Sequence, residues 1–293
     1  MTSAATPWRE FTFRAPDGLE VYARECWPAN ASSTPLLCLS GLTRNSCDFE
    51  PMAEGLAEPR RIITLDYRGR GRSQYAPDSS SYTPHHELAD AIALLDGLAL
   101  ARVCVIGTSR GGIIAMLMAA LHPDRIAGAV LNDIGPKLEA EGLLRIANLL
   151  STQRSFASWS EAANSLRGTN PGTTGLSDIE WEAFARRIFR EDSGRLVANF
   201  DLRLAETFPS IEDIEAGRVT ELWELFGTLR EKPCAVLRGQ NSDLLSQATM
   251  QRMATIHPRL ICVTVENRGH VPFLSEPESL AAIRAVAWAC DRV

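Results

Sequence analysis

The feature that most constrains this chain is a series of short apolar runs with no polar alternation: "PLLCLS", "RIITLDY", "RVCVIG", "AGAVLND", "CAVLRG" and "ICVTVEN". A strand with one wet face alternates, whereas a strand covered on both faces stays apolar along its length. Helical patterns separate the runs, so the chain reads as α/β, with a mostly parallel sheet doubly wound by helices. Two earlier runs, "FTFR" and "EVYAREC", are joined by "APDG". Asp17-Gly18 is a hairpin turn signal, so the sheet is expected to begin antiparallel.

The helices carry boundary marks. Thr83 before Pro84 reads as an N-cap with proline at the first helical position, followed by Leu88, Ala91, Ile92, Leu95 and Leu98 at helical spacing. The segment after Ser109 is apolar on nearly every side through Ile113, Ile114, Met116, Leu117 and Met118, so it should be the most buried helix. Ser275 and Glu278 form a capping-box pattern ahead of Leu280, Ile283 and Ala287.

Between "LNDIGP" and "EKPCAVLRG" the strand signals vanish for nearly a hundred residues. The stretch "SDIEWEAFARRIFRE" reads as a helix capped by Ser177 and Glu180, with Trp181, Phe184 and Ile188 on one face. The expected division is a core domain of residues 1–135 and 233–293, interrupted by a helical cap of residues 136–232.

A formal net charge of −6 with scattered arginines leaves no basic stripe, which argues against a nucleic-acid partner. No run of about eighteen apolar residues is present to span a bilayer. The first residues lack a charged segment followed by an apolar run, so no secretory leader is expected and the location expected is the cytoplasm. Seven cysteines, with no CxxC pair, fit buried free thiols such as Cys38, Cys104, Cys234 and Cys262 better than a disulfide framework or a metal site. The expected partner is a small-molecule substrate, with self-association left open.

The chemistry begins at Gly107-Thr108-Ser109-Arg110-Gly111, a G-x-S-x-G placed where an apolar strand turns into an apolar helix. A serine hydroxyl needs a base, a carboxylate to orient that base, and amide donors for an oxyanion. Of the five histidines, His85 and His86 begin a helix, His122 lies at the far end of the helix after Ser109, and His257 precedes a proline in a loop. His270 follows the last strand on the loop "ENRGHVPF", at the strand end where an open α/β sheet presents its chemistry, and is the expected base. Two aspartates compete as its orienting acid. Asp243 in "GQNSDLL" is favoured, and Asp133 in "LNDIGP" is the alternative, with a local turn role as its plainer reading.

Taken together, "LSGLTRNSCDFEPMA", "LDYRGRGRSQY", "GTSRGG", "GQNSDLL" and "GHVPFLSEPE" resemble the α/β-hydrolase fold superfamily over nearly the whole chain. The resemblance implies an eight-stranded sheet with an antiparallel second strand, a lid, and a Ser-acid-His triad without cofactor or metal. It also implies an oxyanion hole made by the backbone N–H groups of Leu42 and Arg110. The chain departs from the commoner pattern in having Ser40-Gly41 where relatives have His-Gly. Asp66, Arg68, Gly69, Gly71, Arg72 and Ser73 match a loop that is mainly structural in the family.

A serine nucleophile implies an acyl-enzyme rather than the alkyl-enzyme of the branches that use aspartate. The expected activity is hydrolysis of a small carboxylic ester or lactone, with perhydrolysis as a side reaction of the same site. The alternatives are a carbon–carbon bond hydrolase of vinylogous diketones and, from a different class, a small-molecule receptor with a slow triad. Arg44 and Asn45, together with Arg110, are the expected sources of positive or polar contacts to substrate. Trp159, Trp181, Phe184, Phe189, Trp223 and Phe226 supply the aromatic content of the cap.

Overall fold

The structure, a computed structural model, describes residues 8–27, 33–56 and 60–292. The segment on which the absence of a leader rests therefore falls partly outside the described residues, at 1–7.

Eight strands form one sheet: β1 (Arg9–Arg14), β2 (Glu20–Cys26), β3 (Leu36–Leu39), β4 (Ile62–Leu65), β5 (Val103–Thr108) and β6 (Ile126–Asn132), then β10 (Cys234–Gly239) and β11 (Ile261–Val265) after an insertion that holds β7 to β9. Their order is β1-β2-β4-β3-β5-β6-β10-β11. β2 runs antiparallel to both β1 and β4, and the remaining pairs are parallel. Every residue of β3, β4, β5 and β6 is buried, which is why these runs carry no polar alternation. β11 departs from that expectation. As the last strand of the sheet it is largely exposed, and Cys262 lies at the surface rather than in the core.

The flanking helices are α1 (Glu50–Gly55), α2 (Pro84–Gly97) and α3 (Arg110–Leu121), with α9 (Gln247–Ile256) and α10 (Pro277–Cys290) after the insertion. Thr83 caps α2 by accepting from the His86 N–H, with Pro84 at the first turn. α10 corrects the expected capping box: its N-cap is Glu276, and Ser275 lies outside the helix. Pro277 explains the shift, because its fixed φ and missing N–H suit the first helical turn. The Glu276 carboxylate instead accepts from the Phe273 N–H, the Ser279 hydroxyl and Arg268.

The insertion is not all helical. It contains α4 (Ala140–Ser151), α5 (Trp159–Thr169), α6 (Asp178–Ile188), α7 (Ile211–Glu215) and α8 (Trp223–Gly227). It also contains a three-stranded antiparallel sheet of β7 (Ser155–Phe156), β8 (Phe189–Asp192) and β9 (Arg195–Ala198), in the order β7-β9-β8. The expected helix over "SDIEWEAFARRIFRE" ends at Ile188, and "FRED" is strand. Ser193 and Gly194 both have positive φ, 49° and 76°, and close a two-residue hairpin between Asp192 and Arg195. That geometry matches the twist of the two strands and ends the helix.

Packing divides the insertion in two. Leu143 and Leu150 of α4, Leu204, Ile214 and Phe226 join the hydrophobic core on one face of the large sheet. Residues between them form a separate cluster of Phe156, Ala162, Ala163, Leu166, Trp181, Phe184, Ala185, Ile188 and Leu196. Phe184 meets Phe273 of the core loop at a ring separation of 4.9 Å, so this cluster sits against the ends of the sheet strands.

Candidate active site

Ser109 sits between β5 and α3 with φ 50° and ψ −111°, a conformation that costs a non-glycine residue about 1–3 kcal/mol. Its neighbours explain how the turn is held. A Cβ on Gly107 would lie 2.5 Å from the carbonyl oxygen of Gly111, and one on Gly111 would lie 2.0 Å from that of Leu39. The glycines thus let strand and helix approach closely enough to lift the serine over the sheet edge.

Two strand ends bring the partners. His270 Nδ1–H donates to Asp133 Oδ2 at 2.7 Å, and the Ser109 hydroxyl donates to His270 Nε2 at 3.0 Å. Since an ionised carboxylate only accepts, the Asp133 contact fixes the imidazole with its free lone pair toward the serine. Asp133 follows β6 directly, is fully buried, and has φ 54°, a left-handed conformation that aspartate tolerates better than most residues. The Gly239 N–H donates to its Oδ1 at 2.8 Å and the Ser242 hydroxyl to its Oδ2 at 2.6 Å, so the buried charge is fully engaged.

The preference for Asp243 as the orienting acid is therefore corrected. The imidazole Nδ1 is taken by Asp133, and the Asp243 carboxylate instead receives Nε–H and Nη2–H of Arg145 at 2.5 and 2.9 Å. Burial pushes its pKa up, but the hydrogen bonds and charge of Arg145 outweigh burial and hold it below the ordinary value of 3.8. Its backbone carbonyl accepts from the Gly142 N–H at 3.0 Å, and the next carbonyl, that of Leu244, accepts from Glu139 at 3.0 Å. Asp243 thus belongs to a seam that docks α4 onto the core. Arg145, on the cap, was not singled out in the sequence, and this pairing across 98 positions has no local signature.

Arg110 follows the serine and Leu42 lines the same cavity, and among the described residues neither backbone N–H donates to a backbone carbonyl. The Leu42 carbonyl is held by Arg70 Nε–H at 2.8 Å, and Arg70 pairs with Glu87 at 2.7 Å. Both of these side chains are fully buried, and Glu87 also faces Arg110 at 3.4 Å. This ionic cluster supports both loops and was not anticipated from sequence.

The expected polar contacts change accordingly. Arg44 lines the cavity beside Ser109, but its guanidinium is forked onto Asp48 and lies 4.6 Å from the Phe184 ring centre. Asn45 is removed from the substrate contacts. Its side chain accepts from the Cys47 N–H and donates to the Arg187 carbonyl, because it caps a short 3-10 helix. Arg110 is turned toward Glu87 and the Tyr82 carbonyl. Of the aromatics, Phe184 and Phe189 line the cavity, whereas Trp181 lies in the cap core and Phe226 in the main core. The loop of Asp66 is structural: Asp66 accepts from the N–H groups of Ser46 and Arg72, and Arg68 pairs with Asp90 and Asp17.

The cavity over Ser109 has a volume of about 150 Å³. Leu42, Thr108 and His270 form its core side, and Ile146, Leu149, Leu166, Phe184, Ile188 and Phe200 its cap side. Among the described residues no group of three His, Cys, Asp or Glu stands ready to hold a metal ion, and no helix is long and apolar enough to cross a membrane.

Comparison with known proteins matches this fold. The alpha/beta hydrolase family model covers residues 36–283. A 3-hydroxybutyrate-oligomer hydrolase of Cupriavidus necator is 30% identical over 273 residues, 91% of this chain and 92% of that protein. A 2-(acetamidomethylene)succinate hydrolase of Mesorhizobium japonicum is 26% identical, covering 83% of this chain and 84% of that one. Among solved structures, an alpha/beta hydrolase from Novosphingobium aromaticivorans is 37% identical and superimposes with a TM-score of 0.89 over 98% of this chain and 100% of its own.

Proposed function

We infer that this chain, which belongs to the alpha/beta hydrolase family, is a serine hydrolase that cleaves a small carboxylic ester through an acyl-enzyme. The observation that carries the reading is the unbroken hydrogen-bonded line from Asp133 through His270 to Ser109, opening into a mostly apolar cavity. His270 takes the hydroxyl proton as Ser109 Oγ bonds to the ester carbonyl carbon. The Leu42 and Arg110 amides receive the oxyanion. The ester C–O bond breaks, and His270 returns the proton to the departing alkoxide. Water then attacks the acyl-enzyme with His270 again as base, releasing the carboxylic acid and free Ser109. Asp133 holds the imidazole tautomer and stabilises the imidazolium throughout.

The relative named as a hydrolase of 3-hydroxybutyrate oligomers supports ester chemistry over the carbon–carbon alternative. The test is steady-state hydrolysis of p-nitrophenyl acetate and butyrate by wild type and Ser109→Ala. Loss of at least about a thousandfold in kcat/KM is expected for the mutant. Wild-type turnover that the mutation leaves intact overturns the reading.

A further inference from the structure

Three arginines line the cavity, Arg44, Arg145 and Arg154, and they are not equivalent. Arg44 is neutralised by Asp48 and Arg145 by Asp243, each through two N–H groups. Arg154, on the cap between α4 and β7, has no carboxylate within ion-pair reach among the described residues. Its single hydrogen bond, from Nη1–H to the Ser165 hydroxyl, is 3.4 Å long. The histidine in the cavity is already matched to Asp133. Among the described residues, the charges of the lining therefore leave the Arg154 guanidinium without a counter-charge, in a cavity whose apolar lining includes Ile146, Leu149 and Leu166.

A cation in such a wall is unfavourable until an anion arrives, and the planar guanidinium matches a carboxylate with two parallel N–H donors. We propose that Arg154 is the binding residue for a free carboxylate on the substrate, so that the site takes small esters carrying an ionised acid group rather than neutral ones. The proposal rests on the reading of Ser109 as an ester-cleaving nucleophile, and it moves the expected positive contact from Arg44 to the cap.

The experiment compares two probes with the same single internal ester, the linear dimer of 3-hydroxybutyric acid and its terminal primary amide, in which a neutral group of nearly the same size replaces the carboxylate. Wild type is expected to prefer the free acid by about tenfold or more in kcat/KM, with the difference in KM. Arg154→Gln should bring the ratio of the two probes toward one, and Arg154→Lys should restore part of it, which a merely structural loss would not do. Equal kcat/KM for both probes in wild type, or a ratio that Arg154→Gln leaves standing, overturns the proposal.

Calorimetry separates this from the catalytic reading. Free 3-hydroxybutyrate is titrated into Ser109→Ala and into Ser109→Ala with Arg154→Gln, and about tenfold weaker binding is expected in the second. If wild type turns over neither ester while that difference stands, the ester reading fails and the carboxylate site holds. Equal affinities overturn the carboxylate site whatever the turnover.

Discussion

The sheet core and the cap hold their parts of the site by different means. In the core, Ser109, Asp133 and His270 stand just beyond the ends of β5, β6 and β11, and strained or crowded backbone fixes two of them. In the cap, the cavity wall is presented by side chains of α4, α5 and α6 and by the ends of β8 and β9. Its small core is separate from the main one, and its seam with the sheet includes the Asp243–Arg145 fork. The Ser109–His270–Asp133 line therefore rests on the sheet core, and most of the cavity wall on the region packed around its own small core.

The largest expected effect tests the rigidity of the core. Gly111→Ala puts a Cβ 2.0 Å from the Leu39 carbonyl, with backbone on both sides of the clash. Loss of soluble folded protein, or a stability drop above about 4 kcal/mol in urea unfolding, is expected. Normal stability would mean that the turn is slacker than its geometry. Next comes the buried ionic support of the loops that carry Leu42 and Arg110. Glu87→Ala leaves Arg70 charged and unpaired in the core, and should cost about 3–5 kcal/mol in the same assay.

Trp181→Ala sharpens the comparison, because its side chain is 2% exposed inside the cap cluster. The local cost of such a truncation is about 3–5 kcal/mol. Amide exchange should accelerate across residues 155–198 while β5 and β6 keep their protection. Equal acceleration in the sheet would erase the distinction between the regions.

The smallest effect is the acid dependence of the seam. The folded pKa of Asp243 is lower than its ordinary 3.8, so its contribution is complete above that value and is lost only as pH falls through the depressed one. Exchange in α4 after correction for intrinsic rates should be flat from neutral pH down to about 4. A rise beginning near pH 6 would contradict the fork.

These differences also explain what was legible in the sequence. The parallel sheet could be read because β3 to β6 are buried on both faces. The serine turn and His270 could be read because each lies within a few residues of a strand end. The cap hairpin was missed although Ser193-Gly194 marks it, since the helical spacing of Trp181, Phe184 and Ile188 runs straight into "FRED". The choice between Asp133 and Asp243 was beyond local pattern. Both follow strands, and what separates them is Arg145, a residue 98 positions from Asp243 that claims its carboxylate. The left-handed φ of Asp133, which aims its side chain under His270, has no signature beyond an aspartate after a strand.

The measurement that tests the central claim most directly is kcat/KM for p-nitrophenyl butyrate with Asp133→Asn and Asp243→Asn in parallel. Asp133→Asn should lose about ten-thousandfold, because the imidazole tautomer is no longer set, whereas Asp243→Asn should stay within about tenfold of wild type. The reverse pattern, with Asp243→Asn inactive and Asp133→Asn competent, would contradict the line from Asp133 through His270 to Ser109.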